Sequence, residues 1–255
     1  MDKLSYTLLN STTEDFRARQ QLTNDLANLS TIGFKRTFSD VSKSMKIEGP
    51  GYDTRVQRMV VPEKGISLAP GPRMVTGNPL DISMNDSTVL GVTAQNGDLA
   101  FTRRGDMRVN SAGQLEIGTG QKVRGQNGVV SVPPGYAIEI AGDGSVYAKS
   151  ADKTVVAAQV LVGKLLLRDA SATPLERRDD GLFKPAGDNT AGGGDIKDGK
   201  ATPSITNGSL EGSGVSPFEA LTRLLDFSRS FESTMKIIKE TKSLDEAGAS
   251  MMRSA

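Results

Sequence analysis

The stretch Asn24–Phe38 reads NDLANLSTIGFKRTF. Its first half continues a helical pattern, because Leu22, Leu26 and Leu29 are spaced by four and three and fall on one stripe. Its second half abandons that pattern for small polar residues, followed by Gly33 and Phe34. A polar run closes a helix, glycine accepts the left-handed backbone that other residues resist, and an aromatic behind it can fix the departing chain. No nucleophile stands beside a base here, and no set of metal ligands is present.

Toward the N terminus the helical pattern runs back to about Met1 without proline or glycine. Its apolar stripe passes through Leu8, Phe16, Leu22, Leu26 and Leu29, interrupted at Thr12 and Arg19. At the other end, Ser216, Pro217 and Glu219 supply an N-cap, a first-turn proline and a capping-box glutamate. Leu221, Leu224, Phe231, Met235 and Ile238 then follow a three-and-four spacing, with Ser228 in the one gap. So narrow a seam suits a coiled-coil-like partner better than a broad core face.

Between these helices the texture is β. Asn96-Gly97, Asn127-Gly128, Asp143-Gly144 and Asp180-Gly181 are hairpin-turn dipeptides set between short runs such as QLEI and AIEI, whose alternation implies one buried face. Val41–Val75 holds Pro50, Pro62, Pro70 and Pro72 and reads as a linker with one strand at VQRMVV, and Ala186–Lys200 reads as a loop. The expected fold class is α+β: a mainly β, antiparallel, hairpin-rich middle domain inserted between long N- and C-terminal helices that pack in a coiled-coil-like manner. The expected boundaries are an N-terminal helix at 1–40, an irregular linker at 41–75, the β domain at 76–214 and a C-terminal helix at 215–255.

Composition narrows the chemistry. The 255 residues are 36% hydrophobic and 5% aromatic, with 28 glycines and no tryptophan, which favours thin or elongated layers over one thick core. The 31 basic and 30 acidic side chains leave a net charge of +1, so no broad footprint for nucleic acid or a membrane surface arises. Without cysteine there are no disulfides or thiolates, and without histidine the usual general base and commonest transition-metal ligand are missing. No cofactor is expected. Met1–Asn10 carries Asp2 and Lys3 and no secretory core, so the default location is the cytoplasm. The most apolar run, Val155–Leu167, is interrupted by Gln159, Gly163 and Lys164 and is shorter than a membrane span of roughly 20 residues. It reads as a buried strand.

Three motifs invite catalysis and fail. Gly194–Lys200, GDIKDGK, matches most of a phosphate-binding loop, but Ala201 stands where a magnesium-binding hydroxyl belongs, and Asp195 and Asp198 would repel phosphate. Gly212–Gly214, GSG, has Pro217 in place of the third glycine of a dinucleotide fingerprint. Asp179-Asp180 precedes Gly181 and is flanked by Arg177 and Arg178, which makes a charge-compensated turn the simpler reading. A periplasmic protein that binds or cleaves glycans is the alternative from a different class, although four tyrosines and no tryptophan offer few stacking rings.

ANLSTIGF, Ala27–Phe34, resembles the N-terminal signature of flagellar rod and hook proteins, with Ala27, Asn28, Thr31, Gly33 and Phe34 at the matching positions. TGNPLDISM (Thr76–Met84), FTRRG (Phe101–Gly105), NSAGQL (Asn110–Leu115) and VPPGYAIEIAGDGSVYA (Val132–Ala148) continue the resemblance in order along the chain. ERRDDGLF (Glu176–Phe183) and RSFESTMKII (Arg229–Ile238) look most like the proximal-rod branch, with the distal-rod branch as the alternative. The chain departs from the pattern at NDSTVLGV (Asn85–Val92) and at Gly214. The resemblance implies a non-enzymatic subunit of the rod that crosses the periplasm, assembling through its terminal helices with copies of itself and other rod proteins around an export channel. It also implies export by the flagellar type III apparatus without a cleaved signal, against the cytoplasmic default, and no membrane insertion.

Overall fold

The computed structural model describes residues 2–38, 41–46, 56–61, 65–150, 159–187, 193–197 and 199–253. The chain divides into two compact units. One gathers the N-terminal helix Asp2–Ala27, the hairpin of Val41–Lys46 with Val56–Val61, and the C-terminal helix Pro217–Arg253. The other combines Asn28–Phe38 with Lys64–Val215 and holds the remaining strands.

The C-terminal helix starts as its sequence dictates. The Glu219 amide reaches the Ser216 hydroxyl oxygen at 3.5 Å and the Ala220 amide donates to the Ser216 carbonyl at 3.0 Å, with Pro217 as the first helical residue. The expected fold class needs correction beyond that point. Among the described residues, eighteen strands and two helices make the chain mainly β, and the N-terminal helix is the shorter at 26 residues against 37. The helices approach one another but form no coiled-coil pairing. Leu221, Phe231 and Met235, expected in a covered seam, are 52%, 50% and 48% exposed, and among the described residues of this helix only Ala220 and Thr241 are buried. The physical reason lies in the stripes: Thr12, Arg19 and Ser228 interrupt them, so one helix cannot cover the other along its length.

The β unit is antiparallel throughout. Its largest sheet runs in the order Leu175–Arg177, Phe183–Pro185, Leu99–Thr102, Thr88–Thr93, Lys122–Gly125, Leu115–Ile117, Met107–Val109. The strand Thr88–Thr93 is central and buried on both faces. Leu90 and Val92 enter one apolar cluster with Ile82, Leu115, Ile117 and Val123, while Val89 enters a second with Phe101, Leu175 and Phe183. Alternation with period two separates the clusters, and each such side chain fully buried contributes roughly 1.5–3 kcal/mol. Gly91 lets Leu166 pack closely on this strand, since a β-carbon there would lie 2.6 Å from Leu166 Cδ2 and force that side chain to shift.

Hairpin turns fall on the dipeptides read from the sequence: Gly97, Gly128, Gly144 and Gly181 all have positive φ. Within the run read as a buried strand, residues 155–158 lie outside the described residues. Val160 and Leu161, in the edge strand Val160–Lys164, are 55% and 58% exposed, whereas Leu165, Leu166 and Leu167 are buried. The apolar run is therefore split between a sheet edge and the core.

Two further strand pairs bring the ends of the β unit together. Ile205–Asn207 pairs with Ile82–Met84, and Ser209–Glu211 pairs with Arg73–Val75. The chain thus reaches the C-terminal helix directly from a strand whose three residues are buried.

Candidate functional site

The opening stretch joins the β unit instead of merely ending a helix. After Ala27, the Thr31 amide donates to the Asn28 carbonyl at 3.2 Å and the Thr31 hydroxyl bonds Asn28 Oδ1 at 3.1 Å. The Phe34 amide donates to the Thr31 carbonyl at 3.3 Å. These two turns account for Asn28 and Thr31. Gly33 follows at φ +67°, and a β-carbon there would lie 2.5 Å from the Arg103 carbonyl carbon and oxygen. Both its conformation and its contact exclude a side chain.

Four backbone bonds then hold the segment down. The Gly33 amide donates to the Glu211 carbonyl at 2.7 Å, and the Gly214 amide donates to the Phe34 carbonyl at 2.9 Å. On the other side, the Ser67 amide donates to the Arg36 carbonyl at 2.9 Å and the Phe38 amide to the Gly65 carbonyl at 2.8 Å. The Arg177 guanidinium lies 4.3 Å from the centroid of the Phe34 ring and also donates to the Lys35 carbonyl.

Beneath this segment Glu211 binds two buried cations. Its Oε1 accepts from Lys35 Nζ at 2.6 Å and from the Gly71 amide at 2.9 Å. Its Oε2 accepts from Arg103 Nε at 2.8 Å and lies 2.7 Å from the second guanidinium nitrogen. Arg103 spends its other protons on the carbonyls of Asp86, Thr88 and Met84, and Lys35 donates to the Ala69 carbonyl at 2.6 Å. Side-chain exposure is 0% for both cations and 2% for the carboxylate. Burial, reinforced by the charge of Arg103, holds the Lys35 ammonium below its ordinary pKa, although the bond to Glu211 opposes that shift. Burial lowers Arg103 likewise, with Glu211 opposing.

The other expected seam residues are scattered. Leu22 is buried, and Leu26, Leu29, Leu224 and Ile238 are half-buried; Ala27, the first residue of the motif, is exposed. Sequence reasoning missed Lys35, Arg103, Arg177 and Glu211 as a set. Lys35 and Arg103 sit inside quoted motifs, but a lone glutamate before GSG carries no mark of burial. FTRRG is now legible residue by residue. Phe101 is core, the Thr102 hydroxyl accepts from the Arg104 amide at 3.0 Å, and Arg104 pairs with Asp106 at 2.6 Å. Gly105 is forced by the Ile82 carbonyl oxygen, 1.8 Å from where a β-carbon would stand.

The rejected motifs have internal partners. Asp195 of GDIKDGK pairs with Arg168 at 2.7 Å. The amides of Gly199 and Ala201 donate to the carbonyl and the Oδ2 of Asp169, both at 3.0 Å, so a carboxylate of the protein itself occupies that loop. Burial works against the charge of Asp169, but the Ser171 hydroxyl and amide and the Ala201 amide outweigh it and hold the pKa below the ordinary value. Asp180 accepts from the Leu182 amide at 3.1 Å and pairs with Arg178 at 3.3 Å, which makes it a turn residue. Among the described residues no group of three or more acidic side chains is placed to hold a metal ion, and no helix is long and apolar enough to cross a membrane.

The helices leave apolar side chains such as Phe16, Leu221 and Phe231 exposed, and the β unit carries no constellation of catalytic side chains among its described residues. Residues 206–251 match the family profile described as flagellar basal body rod FlgEFG protein C-terminal. The chain is similar to flagellar basal-body rod protein FlgF of Salmonella typhimurium, 33% identical over 239 residues that cover 93% of each chain. It is similar to FlgF of Escherichia coli at 31% identity, covering 97% of this chain and 96% of the relative. Flagellar basal-body rod protein FlgG of Bacillus subtilis is 24% identical, covering 84% of this chain and 86% of the relative. The chain belongs to the flagellar basal-body rod protein family, and it is a structural subunit of the basal-body rod.

Proposed function

We propose that this subunit builds the proximal part of the rod, packing through its terminal helices against copies of itself and other rod proteins to form the tube around the export channel. The exposure of Leu221, Phe231 and Met235 on the C-terminal helix carries this reading. Apolar side chains left half in water along a helix gain most by burial against neighbouring subunits. In this reading Leu26, Leu29, Leu221, Leu224, Phe231, Met235 and Ile238 make the inter-subunit contacts, while Leu22, already buried in the subunit, holds its helix in place. Ala27, Asn28, Thr31, Gly33 and Phe34 form the motif that joins helix to β unit. The β domain, 76–214 in the sequence reading, forms the outer layer, and the subunit reaches the rod through the type III export apparatus without a cleaved signal. The test is recovery of the tagged full-length protein with purified basal bodies. Leu224→Asp should be absent from them, because a carboxylate buried without a partner is costly. Incorporation of Leu224→Asp at the level of the unaltered protein would overturn the assignment.

A further inference from the structure

Within the β unit, the segment that follows the N-terminal helix and the segment that precedes the C-terminal helix are bonded to each other. The continuation of the N-terminal helix, Asn28–Phe38, belongs to that unit, and the C-terminal helix begins at Pro217, shortly after Glu211. Glu211 touches both crossings: its carbonyl accepts from Gly33, its carboxylate holds Lys35, and its own strand carries the chain on to Gly214, which bonds Phe34. We propose that Glu211 is a latch shared by the two crossings, so that both helix roots leave the β unit in one opening event.

The charge balance sets how firmly the latch holds. Two buried cations face one carboxylate, and the remaining polar partners are backbone groups. The two cations therefore share a single bonded carboxylate in a poorly solvated place, with Asp86 acting on Arg103 only through space, whereas the hairpins around Leu90, Val92 and Leu115 close on apolar clusters. A join of that kind opens before the core does, as a cooperative sub-unit of the structure. The purpose of the latch rests on the rod reading, since in a rod subunit it makes both helices answer together to load on the β unit. Its existence is a property of the chain in solution.

Residue-resolved amide hydrogen exchange on the purified full-length protein tests it. Gly33 and Gly214 are the reporters of the two crossings, and Leu115, whose amide donates to the Val130 carbonyl at 3.0 Å, reports the core. Gly33 and Gly214 should open with a common equilibrium constant, and more readily than Leu115. Glu211→Gln keeps the shape and strands two buried cations, so both reporters should open about 10²–10³-fold more often while Leu115 changes by less than about tenfold. Adding Lys35→Met to Glu211→Gln should recover at least about tenfold at both reporters, a coupling that loss of packing alone does not produce. Unequal opening of Gly33 and Gly214, or a double variant no better protected than Glu211→Gln, would overturn the latch. If Glu211→Gln does not fold, Lys35→Met alone decides: both reporters must shift by the same factor, and a shift confined to Gly33 defeats the proposal. Failure of the rod reading would show separately, as absence from basal bodies with this exchange pattern intact.

Discussion

The amide of Gly33 donates to the carbonyl of Glu211 at 2.7 Å, while the Gly33 α-carbon rests against the backbone of Arg103 and Arg104. The signature glycine thus works several residues beyond the end of its helix at Ala27 and stitches two distant pieces of chain. Gly33→Val should cost about 1–3 kcal/mol for the left-handed backbone alone, with the clash added to it. Thermal unfolding with exchange at Phe34 measures this, and a variant with unchanged midpoint and unchanged protection would show that the site tolerates a side chain.

Gly105 should be the least forgiving position in FTRRG. Its absent β-carbon would sit 1.8 Å from a backbone oxygen that has little freedom to move. Gly105→Ala is expected to lose about 3 kcal/mol or more by overpacking. A denaturant midpoint within error of the unaltered protein would contradict the close packing of this loop on Ile82.

Acid should loosen the loop around Asp169. Its folded-state pKa is held below the ordinary 3.8, so the stabilisation is present above that value and is lost as pH falls through the folded value. Asp169→Asn should flatten the acid limb of the stability profile and speed exchange at Ala201, whose amide bonds the carboxylate, while Gly199 keeps its bond to the main-chain carbonyl. A limb of the same steepness in the variant would assign acid sensitivity elsewhere.

Lys35 should act with the same sign, in the alkaline range. Its folded pKa lies below the ordinary 10.5, so between the two values the unfolded chain binds more protons and stability rises with pH. Below the folded value this contribution is constant. Lys35→Met should remove that alkaline gain, read from unfolding midpoints measured as pH approaches 10.5.

A fragment cut at 76–212 should be weaker than one cut at 28–215. The shorter piece omits Lys35, the Gly71 amide and the strand Arg73–Val75 that pairs with Ser209–Glu211. Circular dichroism on both should show the lower melting point for 76–212, and equal melting points would mean that the joint contributes nothing to the unit.

The hairpins were legible in the sequence because a turn is a local event: an Asn or Asp before a glycine announces itself within two residues. The start of the C-terminal helix was legible for the same reason, in Ser216, Pro217 and Glu219. The motif Ala27–Phe34 was visible as a signature, but its joint was not. Nothing near Glu211 distinguishes a buried carboxylate from an exposed one, since its partners lie in other parts of the chain. The expected coiled coil failed on the converse ground: spacing alone assigns a stripe, while burial depends on what stands opposite.

The bond between Lys35 and Glu211 spans 176 positions of sequence. Closing so long a loop carries an entropic cost that the near-neighbour hairpins avoid, and contacts of wide sequence separation form late and slowly. In refolding, protection at Gly33 should therefore appear after protection at Leu115. A chain emerging from its N terminus can form its first helix and several hairpins, yet it cannot complete the β unit until the strand that carries Glu211 has arrived.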